Sequence, residues 1–150
     1  MEITEVHYVT PAHLELLLEA DPSKDLVEEY LDRGTLWEAT ITGKIVGVIA
    51  IIPTRPETVE IVNLAVHEDY RGQGIAQELL NYILNEAKRS HYRTVEIGTG
   101  STGMAQLYLY QKCGFRMTSI DRDFFVRHYA EPIIENGLVL KDMVRLSQDI

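Results

Sequence analysis

The sequence holds a single cysteine, Cys113, so no disulfide can form within the chain and a reducing cytoplasm is the expected compartment. No apolar run approaches the ~20 residues that a membrane-crossing helix needs. The opening MEITEVHYVT lacks the basic-then-apolar order of a secretory signal. The histidines, His7, His13, His67, His91 and His128, show no metal-ligand spacing with cysteine or acidic partners, and no metal is expected. Basic residues are scarce: 14 Lys and Arg face 23 Asp and Glu, a net charge of −9 that disfavours nucleic acid and anionic membrane surfaces as partners. The imbalance sits in the first 60 residues, with 12 acidic and 4 basic side chains. That suits a cationic partner, although a plainly solvated acidic surface has the same composition. Repeats, low-complexity tracts and Pro/Gly/Ser linkers are missing too, so one domain over 1–150 is expected.

What is present reads as alternating strands and helices. EITEVHYV alternates as a first strand. Helices are predicted over Pro11–Ala20 and Pro22–Arg33, the second capped by Asp21, opened by Pro22 and stopped by Gly34. TLWEATI and IVGVIAII flank Thr42-Gly43-Lys44 as a hairpin. The second run is almost wholly apolar, as a strand covered on both faces should be, and Pro53 and Pro56 are expected to break it. VEIVNLAV is another strand. Apolar positions 76, 79, 80, 83, 84 and 87 mark one face of a helix over Ile75–Ala87. TVEIG reads as a strand and Met104–Cys113 as a helix closed by Gly114. FRMTSIDRDFF and LVLKDMVRL read as two final strands around the loop RHYAEPIIENG. The first strands pair as an antiparallel meander, whereas the β-α-β passage from Val59 to Gly98 demands a parallel crossover. The expected fold class is therefore α/β, a mixed and mostly antiparallel sheet with helices on both faces.

The segment VNLAVHEDYRGQGIAQELL, Val62–Leu80, carries the most chemical information. A strand ends, a glycine-rich turn follows, and a helix begins near Gly74. Helix N-termini present unpaired N–H groups and a partial positive charge, so such a turn suits phosphate. Gly72 and Gly74 let backbone approach an anion with no Cβ in the way, and Arg71 adds a cation. A plain strand-to-helix connection would use the same glycines. The turn is neither a Walker motif, since no Gly-Lys-Ser/Thr follows, nor the dinucleotide G-x-G-x-x-G.

Arg71-Gly72-Gln73-Gly74-Ile75-Ala76 resembles the Arg/Gln-x-x-Gly-x-Gly/Ala signature of the GNAT superfamily of N-acetyltransferases. One strand further on, Leu109-Tyr110-Gln111-Lys112-Cys113-Gly114-Phe115 is similar to that family's Tyr-x-x-x-Gly-Phe ending. The likeness is strong over residues 43–120 and rests on element order at the ends. It implies a GNAT-like acyl-CoA N-acyltransferase fold with a splay at the centre of the sheet, and acetyl-CoA as cosubstrate. It also implies a pyrophosphate cradle from the backbone amides of Arg71, Gly72, Gln73, Gly74, Ile75 and Ala76. The pantetheine arm would pair with the Leu64-Ala65-Val66 edge as an added strand does, and an N–H near Ala65 or Val66 would polarise the thioester carbonyl. Many members carry an asparagine before the last motif helix, where this chain has Gly100-Ser101-Thr102-Gly103. Ser101 or Thr102 would supply a hydroxyl to the cofactor there, or simply cap the helix.

Two catalytic roles follow from the resemblance. Tyr110 is the candidate general acid: a phenol at about 10 and a departing thiolate near 8.5 exchange a proton with little imbalance. A buried core tyrosine is the bland alternative, and Tyr108 is the weaker choice because it lies off the motif. Glu60 is the candidate base, since an alkylammonium near 10.4 must lose a proton before it attacks. The competing view of Glu60 is an exposed strand-start glutamate, and Asn63 would instead orient substrate or bridge a water. Cys113 reads as helix-end packing and Trp37 as core or acceptor-pocket wall. His128, Tyr129 and Glu131 lie in a loop suited to substrate contact. The expected activity is transfer of acetyl from acetyl-CoA to a primary amine, a small cationic one by charge. A protein lysine or N-terminus is the alternative acceptor, and a non-catalytic acyl-CoA-binding module is the alternative of another class. A homodimer is compatible with the family resemblance.

Overall fold

The computed structural model describes residues 1–150. In chain order its elements are β1 (Glu2–Val6), α1 (Pro11–Ala20), α2 (Lys24–Arg33), β2 (Thr35–Ile41), β3 (Lys44–Arg55) and β4 (Thr58–Val66). A short helical turn at Glu68–Tyr70 leads to α3 (Ile75–Arg89), β5 (Thr94–Gly100), α4 (Met104–Lys112) and β6 (Arg116–Asp121). The chain then forms α5 (Phe124–His128), β7 (Ile133–Glu135), β8 (Leu138–Leu140) and β9 (Met143–Asp149). One seven-stranded sheet runs β1-β2-β3-β4-β5-β9-β6, with β7 and β8 as a separate hairpin. Only β4 and β5 are parallel, so the sheet is mixed and mostly antiparallel.

The apolar run of β3 explains the layering. Val46, Ile49 and Ile51 pack with Leu79, Leu80 and Ile83 of α3 on one face. Val48, Ala50 and Ile52 pack with Leu16, Leu17 and Val27 of α1 and α2 on the other. Both faces of the strand are dry, and the sheet is a central layer between two helical ones.

The centre of the sheet opens because of one extra residue. Opposite the consecutive Ala50 and Ile51 of β3, β4 supplies Ile61, Val62 and Asn63, a bulge with Val62 as the inserted residue. Before it, Val59 and Ile61 face the α3 side; after it, Leu64 and Val66 do, while Ala65 turns to α1. β4 and β5 are in register only from Thr58–Ile61 against Thr94–Ile97. Beyond that point β4 stays with β3, β5 stays with β9, and the strands part.

Several boundaries differ from those the sequence predicts. Pro22 lies outside α2: Ser23 caps it by accepting the Leu26 N–H (3.3 Å), and Asp21 instead accepts the Ser23 N–H (3.1 Å). β3 continues through Pro53 to Arg55, since the ladder there is already irregular and a missing N–H costs little. FRMTSIDRDFF is not one strand; β6 ends at Asp121 and α5 begins at Phe124, after Asp123 adopts φ 61° and its N–H donates to Asp142 (2.9 Å). LVLKDMVRL splits at Lys141-Asp142, because Leu138–Leu140 leaves the main sheet to pair with Ile133–Glu135 inside the supposed loop.

Candidate active site

The turn after β4 is built to receive an anion. Gly72 (φ 78°) and Gly74 (φ 82°) are both left-handed, and a Cβ at either would meet no chain atom within 4 Å. No backbone N–H from Gly72 to Gln77 donates within the chain; the first to do so is that of Glu78, to the Gly74 carbonyl (3.0 Å). Six consecutive free donors at the start of a 15-residue helix form an electropositive concavity. Arg71 is tethered beside it, its Nε donating to the Val66 carbonyl (3.2 Å) and its Nη2 to Glu19 (3.3 Å).

From this cradle a groove runs into the splay through three cavities. The outer one, about 230 Å³, is bounded by Gly72, Gly74, Ile75 and Ala76. The middle one, about 420 Å³, shares Val66, Arg71, Ala76 and Leu109 with it and adds Leu64 and Ala65. The inner chamber, about 360 Å³, shares Leu64, Gln106 and Tyr110 with the middle one and continues to Asn63, Gly98 and Tyr129. A long ligand with an anionic middle and a thin apolar arm fits this row. Phosphates would sit on the free N–H groups and the arm along the unpaired side of Leu64–Val66.

Tyr110 stands at the junction of the middle and inner cavities. It is buried, its ring meets Phe115 edge-on at 6.3 Å, and burial pushes its hydroxyl up to about 12. Tyr108, by contrast, is 70% exposed. The inner chamber carries the carboxylates Glu19, Asp21 and Glu135 and no lysine or arginine.

The remaining sequence candidates fall in different places. Gln73 is exposed on the cradle turn, outside the cavity walls. Glu60 does not border the inner chamber, although its neighbours Ile61 and Val62 do. It faces Arg145 (3.8 Å), and burial holds its carboxyl above the ordinary range. Ser101 lies outside the cavities and Thr102 is buried, donating to Glu135 (2.9 Å). Neither caps α4, whose N-cap position is Gly103 and which has no side-chain cap. Trp37 is core, and Cys113 ends α4 with its thiol pushed up by burial. Of the loop residues, Tyr129 reaches the inner chamber; His128 packs its ring at a tilt against Phe124 (centroids 4.7 Å apart) and Glu131 is exposed. Asp21, Gln106 and Glu135, and Tyr30 that bonds to Asp21 and Asn63 without lining the cavities, were not legible as site residues. Asp21 carries the pattern of a helix cap, and nothing local shows that its carboxylate turns inward.

The fold and groove define an acyl-CoA-using N-acyltransferase. A sequence profile of the Acetyltransferase (GNAT) family matches residues 6–115, and the chain belongs to that family. It is 51% identical over 136 residues to the N-acetyltransferase YvbK of Bacillus subtilis, spanning 91% of this chain and 88% of that one. It is 31% identical over 130 residues to N-acetylaspartate synthetase of Xenopus tropicalis, spanning 85% of this chain and 46% of that longer protein. Among solved structures, a Bacillus subtilis acetyltransferase in complex with CoA superposes with TM-score 0.95 at 47% identity, over 99% of this chain and 97% of that one. A GNAT family acetyltransferase from Elizabethkingia anophelis with acetyl-CoA bound gives TM-score 0.96 at 43% identity, over the same shares. The chain is an acetyl-CoA-dependent N-acetyltransferase.

Proposed function

We propose that the acceptor is a small cationic primary amine and that it attacks the thioester directly. The observation that carries this reading is the charge of the inner chamber: three carboxylates and no basic side chain. A low-dielectric recess of one sign concentrates ligands of the other.

Acetyl-CoA supplies the acetyl group as a thioester, an acyl carrier ready for attack by a neutral nitrogen. The cradle at Arg71–Ala76 holds the pyrophosphate, and the open edge of Leu64–Val66 aligns the arm so that the thioester lies beside Tyr110. A backbone N–H near Ala65 or Val66 faces the developing oxyanion. Glu60 receives, through solvent, the proton that the nitrogen sheds as the C–N bond forms. Tyr110 Oη gives its proton to the sulfur as the C–S bond breaks. Burial makes the Glu60 carboxyl a better base near neutrality. It keeps the Tyr110 phenol protonated but also makes it a weaker acid toward the thiolate than an ordinary phenol.

The test is a steady-state acceptor panel with acetyl-CoA: small alkylamines and aminoglycosides, aspartate as an anionic amine, and lysine-containing or free N-terminal peptides. Cationic small amines are expected to be acetylated with kcat/KM at least tenfold above aspartate. Turnover confined to peptides, or a preference for aspartate, overturns the reading.

A further inference from the structure

Three residues that line the inner chamber, Asp21, Asn63 and Tyr129, join with Tyr30, which does not line it, in one hydrogen-bond network whose directions are fixed. Asn63 Nδ2 donates to the Leu17 carbonyl (3.0 Å) and to Tyr30 Oη (2.8 Å). A carbonyl can only accept, so the amide cannot be turned over, and Oδ1 is the atom left facing away. Tyr30 Oη, already accepting from Asn63, donates to Asp21 Oδ2 (3.3 Å), and Tyr129 Oη donates to Asp21 Oδ1 (2.8 Å). The Ser23 N–H donates to Asp21 as well (3.1 Å). Both phenols are pushed upward by burial and by the neighbouring Asp21 charge, so they keep their protons and Asp21 is the anion.

Every donor in this wall is spent, and what remains are acceptors. Asp21 is buried with three donors around it and no lysine or arginine partner. Asn63 is 5% exposed, and its Oδ1 is the one buried side-chain polar atom in the chain with no hydrogen-bond partner. Glu135 already accepts from Thr102, which leaves its second oxygen free. A carboxylate with no basic partner and an orphaned carbonyl oxygen, on two residues that line one chamber and are linked through Tyr30, are completed by a ligand with several N–H donors and a positive charge.

The nitrogen that attacks a thioester must be neutral and has two protons at most. It cannot be the group that satisfies this wall. Resting on the amine-acceptor reading above, we infer that the acceptor carries two nitrogens: a neutral one presented to the thioester, and a second, protonated one held by Asp21 and Asn63 Oδ1. The substrate class is an aliphatic diamine or longer polyamine. Asp21, Asn63, Tyr30 and Tyr129 form its specificity subsite, with the tyrosines fixing the carboxylate rather than touching the reacting atoms.

The experiment measures kcat/KM with acetyl-CoA for α,ω-diamines of three to six carbons beside monoamines of equal length. The wild type is expected to prefer the best diamine by at least tenfold, and Asp21→Asn to lower that ratio at least tenfold. Circular dichroism and acetyl-CoA calorimetry check that the variant is folded. A variant that merely weakened the fold would lower both members of a pair and leave the ratio intact, which would overturn the assignment of Asp21. A second arm needs only the wild type: amines whose far end is a primary ammonium, a trimethylammonium or a methyl group. The primary ammonium should be the best by at least tenfold, because trimethylammonium has charge but no N–H to give Asn63 Oδ1. Equal use of monoamines and diamines overturns the subsite and leaves amine acetylation standing. Failure of every amine to turn over overturns both readings.

Discussion

Tyr110 is a buried residue whose hydroxyl the protein itself does not engage, and that oxygen can be removed without disturbing the ring. Tyr110→Phe is expected to lower the single-turnover acetyl-transfer rate by at least tens-fold while acetyl-CoA affinity stays near wild type, as for a group acting in the transition state. Tyr108→Phe, at an exposed position on the same helix, is the control. Loss in Tyr108→Phe, or none in Tyr110→Phe, would remove Tyr110 from the proton path. The same burial has an alkaline signature. Folded Tyr110 keeps its proton to about 12, against an ordinary 10. Its contribution to stability is therefore whole below pH 10 and is lost as pH rises through 12, by about 2–3 kcal/mol in the limit. Denaturant titrations from pH 9 to 12 should show a shallower decline in Tyr110→Phe than in wild type. For Glu60, whose carboxyl is raised by burial, Glu60→Gln should abolish an acidic limb of kcat/KM that lies above the ordinary carboxylate range. A limb that survives the change belongs to another group.

At the scale of elements, the cradle is a backbone device, and its test must separate backbone strain from lost binding. Gly74 (φ 82°) and Gly43 (φ 81°) share a left-handed conformation and open surroundings, but Gly43 lies in the β2–β3 hairpin, away from the groove. Gly74→Val and Gly43→Val should each cost about 1–2 kcal/mol of stability. Only Gly74→Val should weaken CoA, by about tenfold or more in calorimetry, since its side chain enters the anion's space. Equal CoA affinity in both variants would dismiss the cradle. The turn was legible because glycine spacing before an amphipathic helix is local information, as were β2, β3, α3 and the parallel crossover. The splay as a structural cause was not: the bulge at Val62 lies in the strand Thr58–Val66 with no Gly or Pro to mark it. Alternation through that strand would place Asn63 and Ile61 on one face, whereas the bulge separates them. The hairpin of β7 and β8 was hidden for a similar reason, since Leu138–Leu140 and Met143–Asp149 look like one strand until pairing partners far away divide them.

Over the whole molecule, the first 60 residues carry most of the net charge of −9, and they include Glu19 and Asp21 of the inner chamber. Long-range attraction of a cationic acceptor is screened beyond about 8 Å at physiological ionic strength. The KM for the best cationic acceptor should rise as sodium chloride increases from 20 to about 300 mM, while that for acetyl-CoA should not follow the same trend. A KM flat with salt argues against electrostatic capture. CoA at about 100 times its Kd should stabilise the protein by about 2.7 kcal/mol, seen as a rise of several degrees in Tm.

The order of strands across the sheet also bears on how the chain is assembled during synthesis. β9 lies between β5 and β6, so the strand from Met143 to Asp149 is the seam that joins β6 to a sheet in which β5 is already paired with β4. β1 to β4 can pair as each follows the other from the ribosome. β6, finished some twenty residues before β9 begins, has no neighbour to bond until those last residues emerge. The half of the protein that anchors Tyr110 is thus completed late and all at once, by contacts of long sequence separation that are slow to form. Translation stalled near Lys141 would leave a chain with its antiparallel meander made and its groove unbuilt. Limited proteolysis of such stalled chains should find residues 1–66 protected while β6 remains open to cleavage.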